Sequence, residues 1–266
     1  MNPNITHTTL KARMARGATF GMNIYSTACM PIEVAGNWGL DFVFIDAEHT
    51  ALGVDSHMEK LLLAANSTAI PCLVRVRGTL EWDIRKALEM GASGVIVPQV
   101  HTAAQMREII RYSKFPPLGR RGGDSSVRSA GFAGAGFDWA TYTQAENTRS
   151  VIVPMAESYE FFDNIDEILD VEGIDAVHFG PADYSLSRHL PVDYRLGNPE
   201  VLQRLELLIE KCHARAIQVM VPCFPADQAT AQRLIEMGSD MLLMGSDLSW
   251  LNQAGQQISA VKRALA

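Results

Sequence analysis

Two short polar segments directly follow apolar runs in this chain of 266 residues. Asp46-Ala47-Glu48-His49 ends one apolar run, and Gly180-Pro181-Ala182-Asp183 ends another, far later in the sequence. Charged side chains are rarely buried in a protein core without a partner. Their position at the ends of apolar strands therefore indicates a site, provided that the fold brings the two segments together.

Polar residues follow other apolar runs in the same way. They are Arg75 and Arg77, Gln99, Glu157, and Ser246 with Asp247. Glu157 and Asp183 follow neighbouring predicted strands, so their carboxylates could share one cation. An oxygen-rich site without thiols and with few protein ligands suits Mg²⁺ or Mn²⁺, because water and substrate oxygens can complete the octahedron.

Three further side chains complete a catalytic hypothesis. Arg75 could hold a substrate carboxylate through two parallel hydrogen bonds. His49 could transfer a proton near neutral pH, and Asp46 could hold its ring. Together with the two metal-binding acids, these groups could bind a small anionic substrate and catalyse a proton transfer.

Each of these residues also has a structural explanation that the sequence leaves open. Glu157 could be an acid favoured by a helix dipole, and Asp183 could cap the turn that follows it. His49 could be a hydrogen-bonded loop residue, and Arg75 could pair with Glu48 as a buried structural bridge. Their coincidence at one end of the predicted strands favours a site, because each structural explanation would have to hold separately.

Covalent catalysis has no candidate residue at the strand ends. The lysines fall on the N-terminal arm, on predicted helices or just after one. A Schiff-base lysine would have to meet a carbonyl substrate at a strand end, and none is placed there. No serine or cysteine lies in a G-x-S-x-G motif. Carbonyl chemistry here would therefore depend on a bound metal as the electron sink.

The composition bounds the class of protein. Hydrophobic residues make up 47% of the chain, and the net charge of −7 argues against nucleic acid as the main partner. No apolar stretch is long enough to span a bilayer, and residues 1–16 contain no apolar secretory region. The 4 cysteines form no C-x-x-C pair, so no disulfide framework or zinc knuckle is expected. We expect a cytoplasmic protein with no membrane partner.

Apolar runs alternate with amphipathic stretches along the whole chain. The predicted strands are 19–25, 42–46, 72–76, 94–97, 150–155, 176–179, 218–221 and 241–244. The predicted helices include 59–65, 80–90, 102–112, 159–169, 201–214 and 248–265. Several strands are unbroken apolar runs, which is typical of strands buried on both faces of a parallel sheet.

This alternation predicts a single (β/α)₈ TIM-barrel domain over residues 1–266. The alternative is an open doubly wound sheet, but no G-x-G-x-x-G motif follows any strand to support a dinucleotide site. In a barrel, the polar residues at the carboxyl ends of the strands would form one active site. The irregular segment 114–136 is long enough to be a functional loop.

Six motifs, in order, resemble those of a known enzyme family. They are Phe44-Ile45-Asp46-Ala47-Glu48-His49, Val74-Arg75-Val76, residues 94–98, Gly119-Arg120-Arg121-Gly122, Ala156-Glu157-Ser158 and Phe179-Gly180-Pro181-Ala182-Asp183-Tyr184-Ser185. Over nearly the whole chain the sequence resembles the metal-dependent class II pyruvate aldolases of the HpcH/HpaI family, which includes 4-hydroxy-2-oxoheptanedioate aldolase. The acid–histidine motif and the last motif are specific in combination, whereas either alone would be weak.

The resemblance implies how the site works. Glu157 and Asp183 would hold a divalent metal, Mg²⁺, Mn²⁺ or Co²⁺, that pyruvate chelates. Arg75 and the segment Gly180-Pro181-Ala182-Asp183 would bind the substrate. His49 and Asp46 would act as acid and base through water.

The resemblance also implies an assembly. It predicts a homohexamer, a trimer of dimers, in which the last barrel helix is exchanged with a neighbouring subunit. Glu89 matches a family aspartate that reaches the site across a subunit interface, and it is therefore a further catalytic candidate. It is longer than aspartate by one methylene.

The predicted reaction is the reversible cleavage of 4-hydroxy-2-oxo acids to pyruvate and an aldehyde, through a metal-stabilised pyruvate enolate. One alternative is a citrate-lyase-type enzyme acting on a CoA thioester, for which Arg120, Arg121 and Arg128 are the candidate phosphate ligands. The other is a non-catalytic barrel that binds a 2-oxo acid.

The chain departs from the family pattern around the site. Met155 stands where glutamine is common, and Gln99 stands where methionine is usual. We expect these changes to alter the preference for the aldehyde rather than the chemistry. The aldehyde pocket is predicted to come from segment 114–136 and from neighbouring subunits.

Overall fold

Eight parallel strands close into a barrel in the computed structural model, which describes residues 8–265. The strands are β1 (Thr19–Ile24), β2 (Phe42–Asp46), β3 (Cys72–Arg75), β4 (Gly94–Val97), β5 (Val151–Ala156), β6 (Ala176–Phe179), β7 (Gln218–Pro222) and β8 (Met241–Ser246). They follow one another in chain order, and Thr19 of β1 pairs with Met241 of β8. This closure confirms the predicted (β/α)₈ fold and excludes the open sheet.

Helices follow the strands and surround the barrel. They are α1 (Leu10–Met14), α2 (Met30–Asn37), α3 (Ser56–Ser67), α4 (Glu81–Glu89), α5 (Ala103–Ser113), α6 (Trp139–Arg149), α7 (Tyr159–Asp163), α8 (Ile165–Leu169), α9 (Pro181–Ser187), α10 (Pro199–His213), α11 (Gln228–Glu236) and α12 (Asp247–Leu265). A 3₁₀ helix, Arg128–Ala133, lies between α5 and α6.

The helix predicted over 159–169 is wrong as a single element, because α7 ends and α8 begins around Asn164. The side chain of Asn164 donates hydrogen bonds to the carbonyls of His101 and Glu160. These bonds hold Asn164 outside helical geometry, and asparagine competes with the helix backbone in this way.

The strands are apolar on both faces because each face has its own core. One buried cluster fills the barrel interior and includes Phe42, Phe44, Leu73 and Ile96. A larger cluster lies between the strands and the surrounding helices. Interior side chains of a TIM barrel pack in layers, so the barrel is a rigid base for groups at its carboxyl end.

Helix α1 closes the amino end of the barrel. Its buried Leu10 and Met14 join the interior cluster. Arg13 donates hydrogen bonds to the carbonyls of Leu40 and Ala69, which precede β2 and β3. Substrate access is therefore left to the carboxyl end.

Segment 114–136 connects α5 with α6, which precedes the amino end of β5. Arg128 pairs with Glu59 of α3 at 2.8 Å, and Gly122 lies against Arg85 of α4. The segment therefore packs on the helical layer of its own chain. Its contribution to an aldehyde pocket formed with neighbouring subunits stays a prediction.

Helix α12 has no buried residue, which is unusual for a helix of 19 residues. An apolar stripe, Leu251, Ala254, Ile258, Val261 and Leu265, runs along it at helical spacing. Ile258 is 71% exposed and Leu265 is 83% exposed. Among residues 8–265, no helix combines the length and apolar character needed to cross a membrane.

Candidate active site

The ends of β2 and β3 form the centre of the site. Asp46 and Arg75 are the last residues of these strands and lie opposite each other in register. Arg75 donates from Nε to Asp46 Oδ1 at 2.8 Å and from Nη2 to Oδ2 at 2.7 Å. Asp46 is fully buried and Arg75 is 6% exposed. This bidentate pair holds the guanidinium group in one orientation.

The loop after β2 arranges the other two residues of the first motif around this pair. Asp46 Oδ1 also accepts hydrogen bonds from the backbone N–H of Glu48 and of His49. The ring of His49, 57% exposed, lies with Nε2 3.6 Å from Glu48 Oε2. The predicted contact between Asp46 and the His49 ring is therefore replaced by a contact with Glu48, because Arg75 occupies both Asp46 oxygens.

Glu48 bridges the arginine and the histidine. Its Oε2 lies 3.2 Å from Arg75 Nη1, as the structural alternative for these two residues predicted. The same oxygen is buried and has no hydrogen-bond partner of good geometry among the described residues. Burial raises the pKa of Glu48 to about 7, Arg75 opposes that rise, and Asp46 and Asp183 add to it.

Glu157 directly follows β5 and is 3% exposed. Its Oε1 accepts a hydrogen bond from the backbone N–H of Gln99 at 2.7 Å. Gln99 has φ 57°, a left-handed conformation that is uncommon outside glycine. Burial raises the pKa of Glu157 to about 7. The hydrogen bond from Gln99 and the positive charge of Arg75 oppose this rise, whereas the charges of Glu48 and Asp183 add to it.

The junction between β6 and α9 brings the second motif to the same place. Gly180 precedes α9, and its N–H donates to the carbonyl of Ala156. A Cβ at Gly180 would lie 2.8 Å from the Cβ of Glu157 and 3.3 Å from its Oε2. Pro181, Ala182 and Asp183 form the first turn of α9. Glycine at position 180 therefore lets the backbone approach the glutamate.

The donor set fits a hard divalent cation. Repulsion from the Asp183 carboxylate adds to the pKa rise of both Glu48 and Glu157, and Glu48 adds to that of Glu157. A cation would offset this repulsion and would satisfy the buried, unpartnered oxygen of Glu48. Within residues 8–265, no three Asp, Glu, His or Cys side chains converge closely enough to enclose an ion. Substrate and water oxygens would have to complete the coordination.

Other predicted residues lie elsewhere. Glu89 is the last residue of α4, on the amino side of the barrel, so it is not part of this chain's own site. Arg77 pairs with Asp83 of α4, and Asp247 accepts hydrogen bonds from the N–H of Tyr25 and Ser26. Arg77 and Asp247 are thus structural: one anchors α4, and the other joins the ends of β1 and β8.

Sequence reasoning missed Tyr25 and Tyr194. Burial raises the pKa of Tyr194. The charges of Tyr25 and Asp183 add to this rise, and the charge of Arg75 opposes it. These groups therefore lie within electrostatic reach of one another. The missing signal is understandable, because Tyr194 lies in an irregular segment between α9 and α10 with no strand before it.

Fold and site together define a TIM-barrel enzyme with an acidic, arginine-containing centre at the carboxyl ends of its strands. Residues 20–254 match the family model for HpcH/HpaI aldolase/citrate lyase. The chain belongs to this family, whose aldolases are carbon–carbon lyases.

Known relatives agree with this assignment over most of their length. A protein of Escherichia coli O1:K1 named 2-keto-3-deoxy-L-rhamnonate aldolase is 31% identical over 258 residues, which cover 97% of this chain and 93% of the relative. The structure of an HpcH/HpaI aldolase from Desulfitobacterium hafniense DCB-2 has a TM-score of 0.85 and 27% identity, covering 95% of both chains. The structure of the citrate synthase SbnG also has a TM-score of 0.85, with 26% identity and coverage of 96% and 98%.

Proposed function

We propose that this protein is a metal-dependent class II aldolase that reversibly cleaves 4-hydroxy-2-oxo acids to pyruvate and an aldehyde. The observation that carries the proposal is that the buried Asp46–Arg75 pair, at the ends of β2 and β3, shares the carboxyl end of the barrel with Glu157 and Asp183, which follow β5 and β6. A fixed guanidinium group next to a cation-binding acid pair suits a 2-oxo acid, which presents a carboxylate and a keto oxygen together.

Glu157 and Asp183 would hold the cation, and Mg²⁺, Mn²⁺ and Co²⁺ are the candidates that oxygen ligands accept. When bound, the cation supplies Lewis-acid polarisation of the keto group. Gln99 and Gly180 position Glu157 for this role, one through its N–H and the other through its lack of a side chain.

Arg75 binds the substrate and stabilises the charge that develops on its oxygen. Two of its five N–H groups are bonded to Asp46, and Nη1 contacts Met155 Sδ and Glu48 Oε2, so the second N–H of Nη2 is the donor left for the substrate. Its orientation is set before the reaction begins, and a preorganised donor of this kind stabilises the developing charge without reorganisation.

His49 moves the proton. Its exposed ring, supported by Glu48, takes the proton of the 4-hydroxyl group directly or through one water. The bond between C3 and C4 then breaks, the aldehyde leaves, and the electron pair passes to the enolate of pyruvate. Protonation of C3 completes the cycle.

The test is exchange of the pyruvate methyl protons with D₂O, followed by NMR. We expect exchange when the protein is loaded with Mn²⁺ or Mg²⁺ and none after treatment with EDTA. Absence of metal-dependent exchange would favour the non-catalytic binding barrel. Aldol addition of pyruvate to a series of aldehydes, with the same metals, then tests the complete reaction.

The CoA-thioester alternative is less well supported. Arg121 is buried against Glu146 at 3.0 Å, and Arg128 pairs with Glu59. Both lie in segment 114–136 and are already paired with acids outside the strand ends, which leaves them poorly suited to bind phosphates. Activity on free 2-oxo acids without CoA would separate the two functions.

The exposed stripe on α12 supports a further proposal, a hexamer in which this helix packs on a neighbouring subunit. Leu251 and Ile258 are 70% and 71% exposed, and an isolated chain gains nothing by presenting them to water. Exchange of the helix would bury the stripe. Glu89 would then serve a neighbour's site.

A further inference from the structure

The carboxyl end of the barrel contains a second region beside the acidic centre. A cavity of about 910 Å³ opens at the ends of β1, β7 and β8, whereas the acids and Arg75 lie at the ends of β2, β3, β5 and β6. Pro222, Cys223 and Leu243 form part of its floor. The cavity is large enough for a ligand well beyond the size of pyruvate.

Aromatic side chains dominate one wall of this cavity. Tyr25, Tyr194, Phe224 and Trp250 all line it. The rings of Tyr194 and Phe224 are 6.2 Å apart at an interplanar angle of 64°. They are 47% and 50% exposed, so a large part of each ring is accessible to a ligand. Exposed aromatic clusters of this kind mark binding surfaces.

The aromatic wall begins where the reaction centre ends. Ile24 of β1 lies opposite Ile45 of β2, so Tyr25 follows directly beside the strand end that carries Asp46, and it lines the cavity together with Tyr194. Asn23, at the end of β1, donates a hydrogen bond from Nδ2 to the hydroxyl of Tyr25. A substrate held by Arg75 through its 2-oxo acid end would therefore extend past the two tyrosines towards Phe224.

Charge in the cavity is sparse. Arg195 lies over the ring of Phe224, 5.6 Å from its centre. Among the described residues, no carboxylate forms an ion pair with the side chain of Arg195. Asp227 is the acid that lines the cavity. A neutral, flat and largely apolar group fits this lining better than a densely charged one.

We propose that this cavity binds the aldehyde half of the substrate and selects an aldehyde that carries an aromatic ring. The inference rests on the proposed aldolase function. In the addition direction, C3 of pyruvate loses a proton and bonds to the aldehyde carbon, and the aldehyde oxygen takes up a proton. Tyr194 and Phe224 contact the ring of the aldehyde and are specificity-determining residues.

The experiment compares benzaldehyde with cyclohexanecarbaldehyde, which has a similar size but no π face. Aldol addition of pyruvate is measured with Mn²⁺-loaded protein as kcat/KM for each aldehyde. We expect the wild type to prefer benzaldehyde. Replacement of either ring, in Phe224→Leu or Tyr194→Leu, should reduce this preference about three- to tenfold, the range of one aromatic pair.

Two controls sharpen the comparison. Tyr194→Phe keeps the ring and should keep the preference for benzaldehyde. If the preference falls in Tyr194→Leu but not in Tyr194→Phe, loss of the ring and not misfolding is the cause. Trp38→Leu removes an exposed aromatic ring directly after α2, outside the cavity, and should match the wild type.

Equal loss for both aldehydes in the leucine variants, or no aromatic preference in the wild type, would overturn the aromatic assignment. A change in molecular mass by light scattering without a change in preference would also overturn it, because the rings would then be a subunit contact. Failure of the proposed function is distinct. It would appear as absent exchange of pyruvate protons in the wild type, with no aldehyde present.

Discussion

At the residue scale, Asp46 organises the candidate site. Its two oxygens hold Arg75, and one of them also accepts the backbone N–H groups of Glu48 and His49. One buried carboxylate thus sets the guanidinium group and the start of the loop that carries the histidine. Removing one partner of such a pair leaves a buried charge uncompensated, which costs about 3–5 kcal/mol.

Arg75→Lys tests the geometry of this pair while keeping the charge. Lysine cannot form two parallel bonds with Asp46, and its ammonium group cannot reach the substrate in a fixed orientation. We expect kcat/KM for aldol cleavage to fall roughly 10²–10³-fold, as for the loss of an oxyanion-stabilising donor. Turnover close to wild type would contradict the role of Arg75.

Arg77→Lys is the matched control, because Arg77 pairs with Asp83 on α4 rather than facing the site. It should keep most of the activity. Circular dichroism and thermal unfolding of both variants separate a catalytic defect from a folding defect.

His178 predicts how stability depends on pH. It is buried in β6, and this burial lowers its pKa to about 3. The positive charge of Arg75 adds to the shift, and the contact with the Met220 carbonyl opposes it. The unfolded chain takes up this proton near pH 6.5, the ordinary value for histidine. Between pH 6.5 and 3 the unfolded state therefore binds more protons at this residue than the folded state does. The contribution of His178 to the free energy of unfolding falls as the pH falls.

From pH 7 to pH 5, this group alone should lower the free energy of unfolding by about 2 kcal/mol. The raised pKa values of Glu48 and Glu157, both about 7, act in the opposite direction over this range, so the effect of His178 is measured as the difference between His178→Gln and the wild type in urea unfolding at the two pH values. On going from pH 7 to pH 5, the stability of His178→Gln should change about 2 kcal/mol more favourably than that of the wild type, whereas His57→Gln, at an exposed position, should follow the wild type. The same pH response in His178→Gln and in the wild type would refute the assignment.

At the scale of elements, strand register and strand–helix junctions bring the site together. Register places Asp46 beside Arg75, and the junction of β6 with α9 places Gly180 against Glu157. The first contact depends on two neighbouring strands and the second on a turn with no room for a side chain. A substitution at either junction should therefore affect metal and substrate binding before it affects the fold.

Gly180→Ala tests the junction. Its Cβ would lie 2.8 Å from the Cβ of Glu157, so the glutamate has to move. We expect Mn²⁺ affinity, measured by isothermal titration calorimetry, to fall about 10–100-fold, as for the loss of a group that orients a metal ligand. Gly255→Ala, in α12 with open space around the added Cβ, should bind Mn²⁺ like the wild type. Equal affinity in all three proteins would argue against Glu157 as a ligand.

At the scale of the whole molecule, the exposed helix α12 points to an assembly. A free chain would expose the apolar stripe of α12 to water. Light scattering of the wild type should therefore report a hexamer of the 29.2 kDa chain. A monomer at micromolar concentration would contradict this.

Charges on the apolar stripe should break the assembly. The double variant Leu251→Asp, Ile258→Asp places two carboxylates in the face that a neighbour would cover, and we expect a smaller species. Gln256→Asp with Gln257→Asp adds the same charge to the same helix at polar positions and should remain assembled.

The local pattern of the sequence predicted the scaffold because strands buried on both faces leave a clear signal. β2, β4 and β6 have the predicted bounds, and Glu157 and Asp183 follow their strands as expected. The bounds of the other strands differ by one or two residues, since strand ends depend on pairing with neighbours. Family resemblance and residue pattern agreed on Arg75, which the structure places at the centre of the site.

The amino-acid sequence by itself determined the eight-stranded barrel and the acids and arginine at the strand ends, because alternation of apolar and amphipathic segments is a local property. Only the tertiary structure decided that Asp46 bonds Arg75 and not the His49 ring, that Arg128 pairs with Glu59, and that Tyr194 meets Phe224. These contacts join residues distant in the chain. They depend on how the barrel closes and on which partner each side chain reaches, and no local spacing encodes that geometry.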